Sequence, residues 1–342
     1  MIEHKNVINL ALSQIRSFGI TSDEKILQLS TFCFDASVEQ IFISLFTGAT
    51  LFLVSKELLV DIRKLEDYIE SKEITHIHAV PSLINMIDPR KPYSLKRVIA
   101  GGEDCSVTLA AKWNGICEFI NEYGPTETTV TSLEYFISKG EKVPSKVPIG
   151  KPLANTTVYI LSKDMSLSPV GVEGELYLGG EGVARGYLNQ PQLTSERFLD
   201  NPYKAEGKIY KTGDLARWLP DGNVEFLGRV DNQVKIRGFR IELSEIENRI
   251  MEYSSVKEAI VLEKENHSGS KYLCAYIVSD IKIDISDVKE FLARALPNYM
   301  IPRYFIQLEE LPLMSNGKVN RKALPEPNKE QMVSVKRPIF DY

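Results

Sequence analysis

Five segments of the chain set glycines beside hydroxyl, carboxylate and cationic side chains at short spacing. In chain order they are Asn121-Glu-Tyr-Gly-Pro-Thr-Glu-Thr-Thr129, Gly174-Glu-Leu-Tyr-Leu-Gly-Gly-Glu-Gly-Val-Ala-Arg-Gly-Tyr-Leu188, Tyr210-Lys-Thr-Gly-Asp-Leu215, Gly228-Arg-Val-Asp-Asn-Gln-Val-Lys-Ile-Arg-Gly238 and Asn316-Gly-Lys-Val-Asn-Arg321. Glycine-rich stretches of this kind can cradle phosphate. None ends in the Gly-Lys-Ser/Thr of a P-loop, however, and none is a clean Gly-x-Gly-x-x-Gly opening a helix, so both common nucleotide folds are disfavoured. Taken singly, each segment has a plainer reading: Gly101-Gly102 and Gly213 as turns, Lys318 as a solvated loop lysine, Asp231 as a surface aspartate. His76 and His78 would share one face of a strand and could ligate a metal, but no third ligand stands nearby at the usual spacing.

The elements that must position these residues change in texture along the chain. Up to about residue 140, amphipathic helices alternate with short apolar runs rich in β-branched residues, the pattern of a parallel sheet flanked by helices. Lys5 to Phe18 reads as a helix stopped by Gly19. Strands are expected at Ile26–Ser30, Thr50–Val54, Thr75–Val80, Lys96–Ala100 and Glu118–Asn121. From about residue 145 glycine and proline become frequent and the pattern turns β-rich, through Val147–Ile160, Gly174–Gly179, Ile209–Thr212 and Asn223–Gly228. A smaller α+β stretch follows, with a capping box Ser244-Glu-Ile-Glu247 opening a helix that runs to about Tyr253. Strands near Val256–Glu263 and Tyr272–Val278 and a helix near Ser286–Ala295 complete it. The fold class is therefore α/β: a large lobe of parallel α/β sheet plus a β-rich subdomain, then a small α+β C-terminal lobe.

Composition narrows the function classes. A net charge of −5 over 342 residues, with both signs spread along the chain, leaves no electrostatic footprint for nucleic acid or an anionic membrane. The longest nearly apolar run, Ile41 to Val54, falls short of the roughly 20 residues of a spanning helix. Met1-Ile-Glu-His-Lys-Asn6 is not a secretory signal, so a cytoplasmic location is expected. The cysteines, Cys33, Cys105, Cys117 and Cys274, form no Cys-x-x-Cys pair and indicate neither zinc knuckle nor disulfide framework.

Together with Leu296-Pro-Asn-Tyr-Met-Ile-Pro302 and Phe34-Asp-Ala-Ser37, the five segments closely resemble the core motifs of the adenylate-forming (ANL) superfamily, in particular the adenylation domains of nonribosomal peptide synthetases. The resemblance runs from residue 1 to about 325. It implies a partial large core over 1–229, a small mobile subdomain over 230–327 and a linker over 328–342. In the family a Ser/Thr/Gly-rich phosphate loop ending in Pro-Lys-Gly comes just before the segment that resembles Met1–Asn6, so the fold is expected to be N-terminally truncated, the missing part of the core being a partner in the whole enzyme. The implied chemistry uses ATP and Mg2+: an amino acid carboxylate attacks the α-phosphate, and the phosphopantetheine thiol of a peptidyl carrier protein then takes the acyl group. By the same resemblance, Lys318 is the catalytic lysine bridging carboxylate and phosphate, Glu127 the magnesium carboxylate and Thr126 a phosphate contact. Asp214 holds the ribose hydroxyls, Tyr123 stacks on adenine, and Gly102 with Glu103 lies along the base. Asn121 and Gly124 belong to the same nucleotide motif, while Phe226 and Arg229 close the ribose and phosphate side. Asp231 is the hinge about which the small lobe turns.

The resemblance also makes Asp35 the anchor of the substrate's α-ammonium group, with Ala36, Glu39, His78, Ile99, Gly101, Glu122, Val130 and Thr131 lining the rest of the pocket. Two carboxylates besides Asp35 in a partly desolvated pocket are costly unless the side chain brings positive charge or several donors. A basic side chain is therefore expected, with a neutral amide as runner-up; a Glu39 turned to solvent along its helix would remove the argument. Alternatives for the chain as a whole are a catalytically silent fragment of such a domain and an acyl-CoA or aryl-acid ligase of the same superfamily, the latter disfavoured by Asp35.

Overall fold

The computed structural model describes residues 1–231, 233–266, 271–312 and 319–327. These fall into two compact units that divide after Asp231.

In the first unit, α1 (His4–Phe18) buries Leu10, Ala11, Gln14 and Phe18 along one face and ends at Gly19, whose φ of 62° supplies the left-handed turn that glycine tolerates. It is followed by β1 (Lys25–Gln28), α2 (Ala36–Thr47), β2 (Thr50–Leu53), α3 (Lys56–Val60), α4 (Ile62–Ser71), β3 (His76–Ala79), α5 (Pro81–Met86), β4 (Arg97–Gly101), α6 (Val107–Asn114), β5 (Glu118–Tyr123), β6 (Leu133–Ile137) and β7 (Lys151–Pro152). Among the described residues these strands form one seven-stranded sheet in the order β2-β1-β3-β4-β5-β6-β7. The pairings from β2 to β5 are parallel, which explains the unbroken apolar runs of strands covered on both faces. Beyond the five expected strands the sheet gains β6 and β7 at its far end, and these run antiparallel. The turn after β5 is too short for a crossover helix, so the chain has to fold straight back.

The β-rich stretch builds β8 (Thr156–Leu161), β9 (Gly174–Gly180), α7 (Pro191–Arg197), β10 (Phe198–Asp200), β11 (Lys208–Trp218) and β12 (Val224–Arg229). Its sheet runs β10-β11-β9-β8, with β12 on the other side of the bulged β11. Tyr123 and Leu133 pack with Leu176, Leu178, Ala216 and Val224, so one core ties this sheet to the end of the first.

The second unit contains the hairpin β13 (Val234–Ile236) and β14 (Phe239–Ile241), then α8 (Leu243–Met251), β15 (Glu258–Glu265), β16 (Lys271–Val278), α9 (Ile285–Ala293) and β17 (Tyr304–Leu308). β15 pairs antiparallel and β17 parallel with β16. Ile246, Ile250, Leu273, Ala275, Val288 and Leu292 form its core. The capping box at Ser244 is not realised: Glu242 is the cap residue and Ser244 already lies within the helix. Leu243 is buried at the first helical position, and seating it in the core starts the helix earlier than the polar signal indicated. β17 is a strand beyond those expected from the sequence. No described helix is long and apolar enough to cross a membrane.

Candidate active site

The carboxyl ends of parallel strands leave a crevice where α/β sheets place ligands, and the expected pocket residues meet there. His78 on β3 pairs in register with Ile99 on β4, Gly101 with Glu122 on β5, and Glu122 with Glu134 on β6. Neighbouring strands thus bring these side chains side by side. A Cβ on Gly101 would lie 3.0 Å from His78 Nε2, so the glycine leaves room for the imidazole. Asp35 caps α2, followed by half-buried Ala36 and, one turn in, Glu39. Gln40 Nε2 donates to the His78 carbonyl at 3.0 Å and fastens this helix to β3.

Glu39 is 0% exposed, which rules out the solvent-facing reading. His78 Nδ1 stands 2.9 Å from Glu39 Oε1 and His78 Nε2 3.4 Å from Glu122 Oε2. The Nδ1 contact is an ion pair without a well-directed hydrogen bond. Burial alone would lower the His78 pKa, but the two carboxylates override it and raise it to about 9, so the imidazole carries a proton at neutral pH. Sequence spacing offered His78 no further ligand; the fold supplies two, with ligand atoms of Glu39, His78 and Glu122 all within 4.8 Å of one another. The buried cation among them is the histidine itself.

Thr131 Oγ1 is 3.1 Å from Glu39 Oε2 and 2.9 Å from Glu122 Oε2. A hydroxyl has one hydrogen to donate, so the second carboxyl is satisfied only if it brings its own proton. Burial, then the Glu39 charge, pushes Glu122 well above the usual carboxylate range, which makes it the protonated partner. The loop that presents Thr131 is strained: Thr129 and Val130, both β-branched, have φ of 65° and 64°. Such conformations persist where surrounding contacts enforce them. Here Thr129 Oγ1 donates to Gly182 O at 2.7 Å and the Ser132 amide to Tyr123 O at 2.8 Å. Gly124 cannot be replaced in this turn, since a Cβ would sit 2.2 Å from Val130 O.

The nucleotide-motif residues gather around β5, β11 and β12. Tyr123 donates its hydroxyl to Asp214 Oδ2, and its ring lies 6.4 Å from that of Phe226. Asp214 is buried, with Oδ1 2.6 Å from Arg229 Nη1. Arg229 also donates through Nε and Nη2 to the two oxygens of Asp231, at 2.6 and 2.7 Å. Gly213, at φ 76°, gives this network its space. Thr126 donates to Asp35 Oδ2, joining the turn after β5 to the start of α2. Glu127 Oε1 accepts from Tyr187 at 2.7 Å; a carboxylate oriented in this way suits a hard cation held partly by phosphate oxygens. Gly102, at φ 86°, turns the chain out of β4, and the next residue, Glu103, accepts from the Ser82 amide at 3.0 Å. Asn121 is engaged differently: its amide donates to Pro148 O at 2.7 Å and ties β5 to the approach to β7. Lys318 lies outside the described residues, as does the expected linker over 328–342.

Residues 1–188 match the model of the AMP-binding enzyme family, and residues 245–318 match that of the AMP-binding enzyme C-terminal domain. The chain belongs to the AMP-binding enzyme family. Gramicidin S synthase 1 of Brevibacillus brevis is 45% identical over 328 residues, 96% of the chain but 30% of that protein. A holo four-domain nonribosomal peptide synthetase bound to AMP and glycine is 37% identical, with a TM-score of 0.63 over 96% of the chain and 25% of that structure. An artificially fused adenylation–PCP di-domain from Klebsiella oxytoca superposes with a TM-score of 0.79 at 29% identity, over 89% of the chain and 57% of that structure. These relatives place this AMP-binding enzyme with the adenylation domains of nonribosomal peptide synthetases, of whose length it spans a part.

Motif reading missed Gln14, Glu134 and Tyr187. Gln14 interrupts the apolar stripe Leu10, Ala11, Phe18 of α1, and Glu134 shares the inward face of β6 with Phe136; a polar residue on an apolar face was the available signal. Tyr187 carried no such mark within its motif.

Proposed function

We propose that the chain activates an α-amino acid with ATP, releasing pyrophosphate and forming an aminoacyl adenylate, and then passes the acyl group to the phosphopantetheine thiol of a peptidyl carrier protein. The hydrogen bond between Thr126 and Asp35 carries this reading. It sets a phosphate-side hydroxyl directly against the carboxylate that would hold the α-ammonium group, so an amino acid anchored at Asp35 has its own carboxylate next to the phosphate turn. Attack of one anion on another needs positioned positive charge. Arg229, Asp214 and Phe226 orient the ribose and phosphate side, Tyr123 the base, and Lys318 bridges the substrate carboxylate and the α-phosphate. Mg2+, held by Glu127 and phosphate oxygens, neutralises phosphate charge when bound. Asp231 is the hinge of the small lobe.

The side chain we assign to the substrate is basic: lysine, ornithine, arginine or histidine. Glu39 and Glu122 are buried on one imidazolium, so two carboxyls share a single cation of the protein's own. A neutral amide is the second reading, supported by the compensation His78 already gives Glu39. Pyrophosphate exchange across a panel of amino acids and aryl acids tests both: the basic members are expected to give the highest rates, glutamine and asparagine next. Preference for leucine, phenylalanine or an aryl acid overturns the assignment.

A further inference from the structure

Glu134 stands directly opposite Glu122 in the antiparallel ladder of β5 and β6. Side chains opposite one another in this way are about 5 Å apart at Cβ, and like charges so placed repel. Both carboxyls are buried. Gln14 Nε2 donates to Glu122 Oε1 at 3.0 Å, and Ser17 Oγ to Glu134 Oε2 at 3.1 Å, so two neighbouring turns of α1 hold the pair from one side. Gln14 Oε1 and Glu134 Oε1 have no hydrogen-bond partner despite their burial.

The other elements packed here add little positive charge. α2 contributes the carboxylates Asp35 and Glu39, β4 only the uncharged Gly101, and the strained loop the Thr131 hydroxyl. β3 contributes His78 and also His76, which burial and then Arg97 keep neutral. One imidazolium, in contact with Glu39 and Glu122, therefore serves a cluster of three buried carboxyls that Glu134 completes, and a surplus of negative charge at such depth is relieved by protonation or by a further cation.

We propose that Glu134 is a specificity-determining residue acting through Glu122: behind the pocket it stores a proton of its own, beside the one Glu122 keeps, and surrenders it when the cationic end of a substrate side chain arrives. This rests on the basic-substrate reading above. The carboxyl O–H bond is the one that breaks; the proton goes to solvent as the ammonium or guanidinium enters, and the charge of the cluster is unchanged. A neutral side chain enters without exchange. Burial and the Glu39 charge bring Glu134 up to about 8, so at pH 7 the proton is in place beforehand.

Isothermal titration calorimetry of the full chain at pH 7, in phosphate and in Tris, reads the proton directly because the two buffers differ in ionisation heat. The expected result is release of about one proton per lysine bound and none per glutamine. Glu134→Gln should cut that release and weaken lysine about tenfold, the equivalent of one pKa unit, while moving glutamine by less than twofold. Lysine binding with no buffer-dependent heat overturns the proposal and leaves the basic-substrate reading standing; absence of binding by every basic amino acid sinks both. Should Glu134→Gln fail to fold, the two-buffer comparison on the unsubstituted chain still decides.

Discussion

The two ends of the candidate site handle charge in opposite ways. At the nucleotide end, Asp214 and Asp231 share Arg229 between them, with contacts of 2.6 to 2.7 Å, and the tyrosine hydroxyl of Tyr123 completes Asp214. At the side-chain end, one imidazolium contacts Glu39 and Glu122, and Glu134 stands opposite Glu122, all at almost no exposure. Fixed pairs of opposite sign define a geometry that is indifferent to pH near neutrality. A buried excess of one sign must borrow protons, so its charge depends on pH and on the ligand. One end is therefore suited to holding a nucleotide in a fixed geometry, the other to discriminating among side chains.

Removing the imidazolium tests this contrast most severely. His78→Leu leaves the carboxyls with no counter-ion, and breaking a buried pair in this way costs about 3–5 kcal/mol. Both tryptophans, Trp113 and Trp218, lie in the first unit, so urea unfolding followed by their fluorescence reports that unit. The loss is expected to be largest near pH 6, where His78 is fully charged, and to shrink towards pH 9, where the imidazole gives up its proton and its contribution is already fading. A loss independent of pH would mean that the histidine only fills space.

A smaller effect follows in the unsubstituted chain. His78 is raised from 6.5 to about 9 and Glu134 from 4.5 to about 8, so both bind their protons more tightly in the folded state. Their stabilising contributions are complete below the unfolded values and disappear as pH climbs through the folded ones. Glu24, buried against Arg97, is lowered and acts the other way, its contribution lost as pH falls through its folded value. The urea midpoint of the first unit should decline steadily from pH 5 to pH 9; a rise over that interval contradicts the proton-storing cluster.

The same contrast explains what could be read from the sequence. The nucleotide end was legible because its residues sit in compact glycine-bearing segments, where backbone conformation and side-chain type are tied together, as at Gly124 and Gly213. The first sheet was legible too, its five parallel strands appearing within a few residues of the expected bounds. At the side-chain end, Glu39 and Glu122 were expected to be partnered by the substrate, whereas His78 already partners both. The spacing of His76 and His78 says nothing of what α2 and β5 bring to them. Gln14 and Glu134 are further still from the pattern, since their partners are fixed by packing of α1 and by the register of an antiparallel strand that was not among those expected. Ser244 failed as a cap for a related reason: burying Leu243 outweighed a local polar preference worth about 1 kcal/mol.

The gentlest change separates geometry from charge at the nucleotide end. Arg229→Lys keeps one positive charge between Asp214 and Asp231 but loses the planar fork that reaches both at once. Lysine offers a point charge on a flexible stem, so Asp214 is held less firmly in the orientation the ribose hydroxyls require. Affinity for AMP is expected to fall about fivefold, roughly 1 kcal/mol, with little effect on stability because Asp231 is partly solvated. The decisive readout is a fluorescence titration with AMP at pH 6 and pH 8. The substitution keeps the positive charge between the two aspartates, so the ratio of the two affinities should match that of the unsubstituted chain. If Arg229→Lys changes that ratio, the nucleotide end also depends on an exchangeable proton and the division between the two ends fails.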